Sequence, residues 1–270
     1  MSVPPRAGGT TDPDAWEHRT LPILAAGSVE VPFLIQGHQE LIERDTIWDE
    51  HSHPVHELLW NERGASSATV GSRIWTITPT LGLWMPAGTL HSGAMTAGTW
   101  FRSAFFAIRS TTTIADTPVP VEITPLLRLL LARLGEPGLA DPSRAATETL
   151  VLDVLTPSRH ELSVHLPTAA LVRPIVDAVR ADPGDGRGLA DWAGELRVSP
   201  RTLTRAFCAE TGSGFARWVA TVRAQHAVAL LAGGWTVEDV AEQVGYRSAS
   251  AFGAAFRRTV GLTPGAFRAA

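Results

Sequence analysis

The sequence predicts an α+β chain of two domains: an N-terminal β-barrel or jelly roll, a helical linker, and a C-terminal all-α double helix-turn-helix. Three observations predict it. The chain has 270 residues, 44% of them hydrophobic, enough for about two sizeable cores. From Ile23 to Ile108 short β-branched and aromatic runs alternate with turn residues, and from Ile123 the texture becomes helical. The last third carries one helical pattern twice. The resulting division is a loose polar tail at 1–20, a β domain at 21–110, a helical linker and dimerisation region at 111–167, and a double helix-turn-helix at 168–270.

The strand candidates are Glu57 to Trp60, Ser67 to Ile77, Gly82 to Met85 and Trp100 to Ile108, punctuated by Gly64, Gly71, Pro79 and Gly98. Short, regularly spaced strands of this kind suit a small barrel or a double-sheet jelly roll. Just ahead of the first lie His51 and His53, with Glu57 at its start, and Pro86-Ala87-Gly88 after the third leads to His91. Alternate residues of a strand share a face, so His51, His53 and Glu57 point inward from one strand and His56 points away. A second strand brings His91. Three imidazoles and a carboxylate suit a borderline divalent transition metal such as zinc, nickel, iron or manganese. A metal-free ligand pocket, or a packed barrel with hydrogen-bonded histidines, is the alternative reading of the same residues. Trp48, Trp60 and Trp84 are candidates for the wall of an effector pocket, although aromatic residues also serve as core in small barrels.

Leu126, Leu127, Leu129, Leu130, Leu131 and Leu134 crowd one helix, and Ala145, Thr149, Leu150, Leu152, Val154 and Leu155 crowd a second that starts after Asp141-Pro142. The first has more leucine than one core face needs, which predicts a homodimer seam beside packing on the β domain. Pro157 to Pro167 is expected to be a connector.

Near the C-terminus, Val237, Val240, Ala241 and Val244 recur at helical spacing; Gly245 makes a tight turn, Ser248 is an N-cap, and Ala251, Phe252, Ala255 and Phe256 form the inner face of the next helix. Upstream, Leu189, Trp192, Ala193 and Leu196 are followed by Ser199-Pro200 and then Leu203 and Phe207. Ala193 to Leu203 is ten residues and Ala241 to Phe252 eleven, so the copies have diverged by one turn residue. A helix-turn-helix can lay its second helix in a DNA major groove. The candidate DNA contacts are Ser199, Arg201, Thr202, Thr204 and Arg205 in the first unit, and Arg247, Ser248, Ser250 and Arg257 in the second. Cys208 is expected to be buried helix packing.

Charge agrees with this division. All 23 basic residues are Arg; residues 1–167 carry 11 of them against 18 acids (−7), and residues 168–270 carry 12 against 9 (+3). Phosphate contacts need cations, and the positive end is the helix-turn-helix end. A lone cysteine excludes an internal disulfide. With no signal-peptide core at the start and no apolar run long enough to span a membrane, the expected location is the cytoplasm.

Two resemblances sharpen these expectations. His51-x-His53-x-x-x-Glu57 followed by Gly64, then Pro86-x-Gly88-x-x-His91, resembles the cupin family over about residues 40–108; Asp45 and Met95 stand where that family has glycine and often asparagine. Ser199-x-x-x-Leu203-x-Arg205-x-Phe207, Glu210-Thr211-Gly212, Arg223-x-x-x-Ala227, Val240-Ala241-x-x-x-Gly245-Tyr246-x-Ser248, Phe256-Arg257-Arg258 and Gly261-x-Thr263-Pro264 resemble the AraC/XylS family of bacterial transcription regulators over roughly 168–270. That resemblance implies two helix-turn-helix units reading successive major grooves. Many members carry Arg or Lys mid-way along the second recognition helix, where this chain has Gly253-Ala254. The expected function is therefore a sequence-specific, double-stranded-DNA-binding regulator, not an enzyme, controlled by a small molecule or metal. The alternative is a metal-dependent cupin enzyme, of oxygenase or isomerase type, fused to a DNA-binding module.

Overall fold

A computed structural model describes residues 16–109, 111 and 113–269. The expected tail lies outside the described residues up to position 15; its end is structured, because Glu17–Arg19 forms strand β1. The further strands are β2 (Ile35–Leu41), β3 (Thr46–His51), β4 (His56–Arg63), β5 (Ser66–Val70), β6 (Arg73–Ile77), β7 (Leu81–Met85), β8 (His91–Met95), β9 (Trp100–Phe106), β10 (Val119–Glu122) and β11 (Ser163–His165). They form two sheets, β1-β3-β8-β5-β6-β11 and β10-β7-β4-β9-β2, antiparallel except for the β1–β3 pair. The sheets do not close into a barrel; of the two expected forms the jelly roll is the one observed.

Strand alternation sorts the side chains. On β4, Glu57 and Leu59 face the space between the sheets, while Leu58 and Trp60 join the outer apolar layer. Helices α1 (Pro125–Leu134) and α2 (Asp141–Val154) cover that outer face, burying Leu58, Trp60, Trp84, Phe106 and Val121. Leu127, Leu130, Leu131 and Leu134 recur at helical spacing and point into this layer, whereas Leu126 and Leu129 are 54% and 69% exposed. Helix α2 buries Thr147, Glu148 and Val151, not the expected Thr149 and Leu150, and Ala140 rather than Asp141-Pro142 is its N-cap. Glu148 Oε1 accepts a hydrogen bond from the Ile35 amide at 3.3 Å, which ties α2 to the edge strand β2.

The C-terminal helices are α3 (Arg173–Ala181), α4 (Leu189–Glu195), α5 (Pro200–Thr211), α6 (Phe215–Ala232), α7 (Val237–Gln243), α8 (Ala249–Val260) and α9 (Pro264–Ala269). Pairs α4–α5 and α7–α8 are the two helix-turn-helix units, and α6 joins them. Each turn contains one left-handed residue, Arg197 (φ 56°) in the first and Gly245 (φ 75°) in the second. Helix α5 starts three positions after Arg197 and α8 four after Gly245, which is the predicted difference of one residue.

The segment expected to be a connector is part of both cores. Val164 of β11 packs with Trp192, Leu203, Phe207 and Trp218 of the first unit; Leu162, with Ala65 and Leu81, packs with Ala227, Val228, Leu231 and Phe252 of the second. Helix α6 lies against the outer face of the β11-containing sheet: Gln225 Nε2 donates to Ile74 O at 3.2 Å and Trp218 Nε1 to His165 O at 2.8 Å. A cleft of about 350 Å³ opens there, lined by Ile74, Thr76, Gln225 and His226 among others. Among the described residues no helix is long and apolar enough to cross a membrane.

Candidate functional site

The structure brings His51, His53, His91 and Glu57 together, by a route the strand reading did not anticipate. His51 ends β3, His53 lies in the connection beyond it, and Glu57 stands on β4 in the opposite sheet. The expectation of one strand carrying all three is corrected. Pro54 lacks an amide donor, and the chain crosses between sheets at this point. His51 pairs with His91 across β3 and β8, with ring centroids 4.3 Å apart. One nitrogen from each of His51, His53 and His91 lies within 4.8 Å of the others. Glu57 Oε2 is 3.4 Å from His53 Nε2 and 3.8 Å from His91 Nε2.

The surroundings of this group would suit a cation. His51 Nδ1 lies 2.7 Å from Asp49 O and His91 Nδ1 2.9 Å from Thr89 O. A carbonyl can only accept, so each Nδ1 carries a proton, which leaves Nε2 as the nitrogen a neutral ring offers to a ligand. Burial pushes the Glu57 carboxyl up to about 8. Burial, reinforced by neighbouring imidazoles, pushes His53 down to about 4, and burial does the same to His91. At neutral pH His53 and His91 are therefore neutral, as ligands must be, and their close approaches to Glu57 are not ion pairs. Glu57 Oε2 is fully buried with no hydrogen-bond partner among the described residues, its imidazole neighbours being near but poorly aligned. A cation would be one partner for such an atom. The donor set fits a borderline divalent metal.

The group sits in a cavity of about 440 Å³. Trp48, Leu59, Ile77, Met95, Phe101 and Phe105 supply much of its apolar wall. Of the three tryptophans expected there, only Trp48 takes part. Trp60 and Trp84 face α1 and α2 instead, because strand alternation turns them to the outer side of their sheet. His56 is also on that side, stacked on Trp84 at 5.3 Å and accepting the Ala87 amide at 3.1 Å; it is buried rather than solvated. Two cavity residues, Ser103 and Phe105, escaped the sequence reading, though alternation along the predicted Trp100–Ile108 strand places both on the face of Phe101. Asp45 accepts the Ala97 amide at 2.8 Å, and Met95 lines the cavity.

At the other end of the chain, Arg201, Thr202, Thr204 and Arg205 are all exposed on α5. Arg201 and Arg205 are one turn apart, and neither forms an ion pair among the described residues. The Thr204 hydroxyl donates to Pro200 O at 2.8 Å, and Ser199 Oγ caps the helix by accepting the Thr202 amide at 3.1 Å. Ser248 caps α8 in the same way, accepting the Ala251 amide at 3.2 Å. Arg247, Ser250 and Arg257 are exposed, as is Ala251, which the sequence had placed on the buried face; the buried face is Phe252, Ala255 and Phe256. Cys208, expected to be packed, is exposed. The inner face of α5 is Leu203, Phe207 and Thr211, and one residue past Phe207 the side chain turns outward.

A helix-turn-helix domain model matches residues 192–270. The HTH-type transcriptional regulator NimR of Escherichia coli is 31% identical over 229 residues, covering 81% of this chain and 83% of that protein. The HTH-type transcriptional regulator RipA of Corynebacterium glutamicum is 36% identical over 102 residues, covering 38% of this chain and 31% of that one. Among solved structures, the C-terminal domain of AraT, a response regulator from Geobacillus stearothermophilus, is 27% identical, with 37% of this chain and 85% of that chain covered and a TM-score of 0.36.

Proposed function

The chain belongs to the AraC/XylS family of DNA-binding transcription regulators, and from that premise we propose that a metal-bearing effector site between its two sheets controls how the helix-turn-helix units meet DNA. The observation that carries this reading is the cluster of His51, His53, His91 and Glu57, whose Oε2 has no hydrogen-bond partner among the described residues, in a largely apolar cavity. His51, His53, His91 and Glu57 would hold zinc, nickel, iron or manganese. A metal held there would supply Lewis-acid attraction for a small effector's donor atom.

The route to DNA runs through one sheet. Strands β3 and β8 carry His51 and His91 on the inner face, and the outer face of the same sheet holds α6 at Ile74 and His165. A shift in β3 against β8 therefore acts on the helix that joins both DNA-reading units. An effector changes this equilibrium only as far as it prefers one arrangement. The DNA work assigns the protein to the cytoplasm.

On the DNA side, Arg201 and Arg205 of α5 are the base-reading candidates, with Thr202 and Thr204 beside them and Ser199 fixing the helix start. The second unit, with Arg247, Ser248, Ser250 and Arg257, contributes backbone contacts and shape fit. Arg201→Ala is expected to weaken operator binding by about 1–3 kcal/mol and to relax preference at one base pair. Gel shifts with a randomised operator check this; unchanged affinity and preference remove Arg201 from the reading. The same assay separates the units. Randomising the bases under α8 is expected to change affinity less than randomising those under α5, and equal sensitivity contradicts the assignment.

We also assign the exposed Leu126 and Leu129 of α1, with Leu150 of α2 (50% exposed), to a homodimer seam. Leu129→Ser combined with Leu126→Ser is expected to shift the protein to monomer at micromolar concentration while the chain stays folded, because both side chains are more than half exposed. Analytical ultracentrifugation decides; an unchanged dimer places the seam elsewhere.

A further inference from the structure

We propose that Arg197, in the turn of the first helix-turn-helix, contacts a DNA phosphate and so fixes the register of α5 in the major groove. This goes beyond the base-reading role given to Arg201 and Arg205, and it rests on that reading only for which helix enters the groove.

The observation is an unequal pair. Helices α4 and α7 end in the same hydrogen-bonded turn. The Val198 amide donates to Ala193 O at 3.0 Å and the Arg197 amide to Gly194 O at 3.2 Å; the Tyr246 amide donates to Ala241 O at 2.8 Å and the Gly245 amide to Glu242 O at 3.0 Å. This ending holds one residue in the left-handed region, where glycine is the usual occupant. The second unit has Gly245 there. The first has Arg197 at φ 56°, the one residue other than glycine with a positive φ among the described residues. A side chain is strained in that conformation. Strain retained at an exposed turn points to work done by the side chain.

The guanidinium is free to do that work. Arg197 is exposed, with no ion pair and no side-chain hydrogen bond among the described residues. The carboxylate two residues away, Glu195, is held by Arg187 at 2.8 Å. Packing of the turn falls to its neighbours Leu196 and Val198, which lie on the core of the first unit. Arg197 precedes Arg201 by four residues, at most about 14 Å of chain. With the start of α5 at the base edges of a groove about 12 Å wide, the turn is within reach of the phosphates that border it. Such contacts set orientation without reading sequence.

The test is DNA binding by the full chain, followed by fluorescence anisotropy across a salt series. The probes are a random-sequence duplex and the duplex that the wild type selects from a random pool. Arg197→Gly relaxes the backbone and removes the cation. It is expected to bind both duplexes roughly threefold to tenfold more weakly, to lower the slope of log affinity against log salt by about 0.9, the worth of one phosphate, and to select the same sequence. Its melting temperature is expected not to fall, which separates a lost contact from a lost fold. Arg197→Asn, whose side chain tolerates the same conformation, is expected to behave alike, and Arg197→Lys to keep the wild-type slope. Unchanged affinity and slope in the Gly and Asn variants overturn the proposal. So does a loss confined to the selected duplex, the signature of base reading expected of Arg201→Ala. A wild type that binds neither duplex overturns the reading of α5 as well.

Discussion

On the proposed metal reading, His53→Ala is expected to leave the purified protein without stoichiometric metal: affinity should fall by more than about 100-fold, the loss of a ligand exceeding the 10–100-fold typical of its supporting shell. The response to effector is lost with it. DNA affinity in the absence of effector stays within twofold, because His53 lies between the sheets and touches no helix of the DNA-binding part. The reason for choosing His53 is its place in the fold. His51 and His91 are cross-strand partners held by backbone carbonyls, so removing either also disturbs the β3–β8 pair. His53 lies in a connection and packs edge-on against Phe105 at 5.3 Å. Elemental analysis after metal loading, together with reporter induction, reads the result. Stoichiometric metal and normal induction in the variant would falsify the metal-switch reading and leave a metal-free pocket.

Gly245→Ala destabilises the DNA-binding part by about 2–4 kcal/mol, measured as a lower urea midpoint, and reduces operator binding in proportion to the unfolded fraction. Two causes add. The residue has φ 75°, a left-handed conformation that costs side-chain-bearing residues about 1–2 kcal/mol. A Cβ there would also lie 2.8 Å from Gly184 O and 2.9 Å from Gly184 Cα, and backbone cannot swing aside as a side chain can. The loop containing Gly184 is held by Arg223 of α6, which donates to Pro183 O at 2.8 Å and Asp185 O at 3.0 Å and stands 5.5 Å from the Tyr246 ring. The clash therefore reaches the joint between the two units. Gly212→Ala, left-handed at φ 68° but with nothing within 4 Å of its Cβ, is the control for conformation alone and is expected to cost less. Equal losses in both variants contradict the close-approach argument.

The sequence by itself determined the parts that repeat a local period. Leu203 with Phe207 and Phe252 with Phe256 announced the inner faces of α5 and α8; Ser199 and Ser248 announced the caps; and the ten- and eleven-residue spacings announced unequal turns. That His51, His53, Glu57 and His91 would be gathered at one place was legible too, from the His-x-His-x-x-x-Glu spacing and the later Pro-x-Gly-x-x-His. Where the sequence failed, the missing information lay in which sheet or helix a face would meet. Alternation says that Trp60 and Glu57 point to opposite sides of β4, yet only the packing of α1 and α2 decides that the Trp60 side is the dry outer layer and the Glu57 side the cavity. The crossing between sheets at Pro54, the strand hidden in the expected connector, and the exposure of Cys208 and Ala251 were settled the same way. Each depends on contacts between residues far apart in the chain, whose burial energy outweighs local preference by an amount that local sequence does not record. Gly245 shows both sides: its turn was readable from the sequence, but the backbone pressed against it belongs to a loop some sixty residues earlier, and only the folded chain brings the two together.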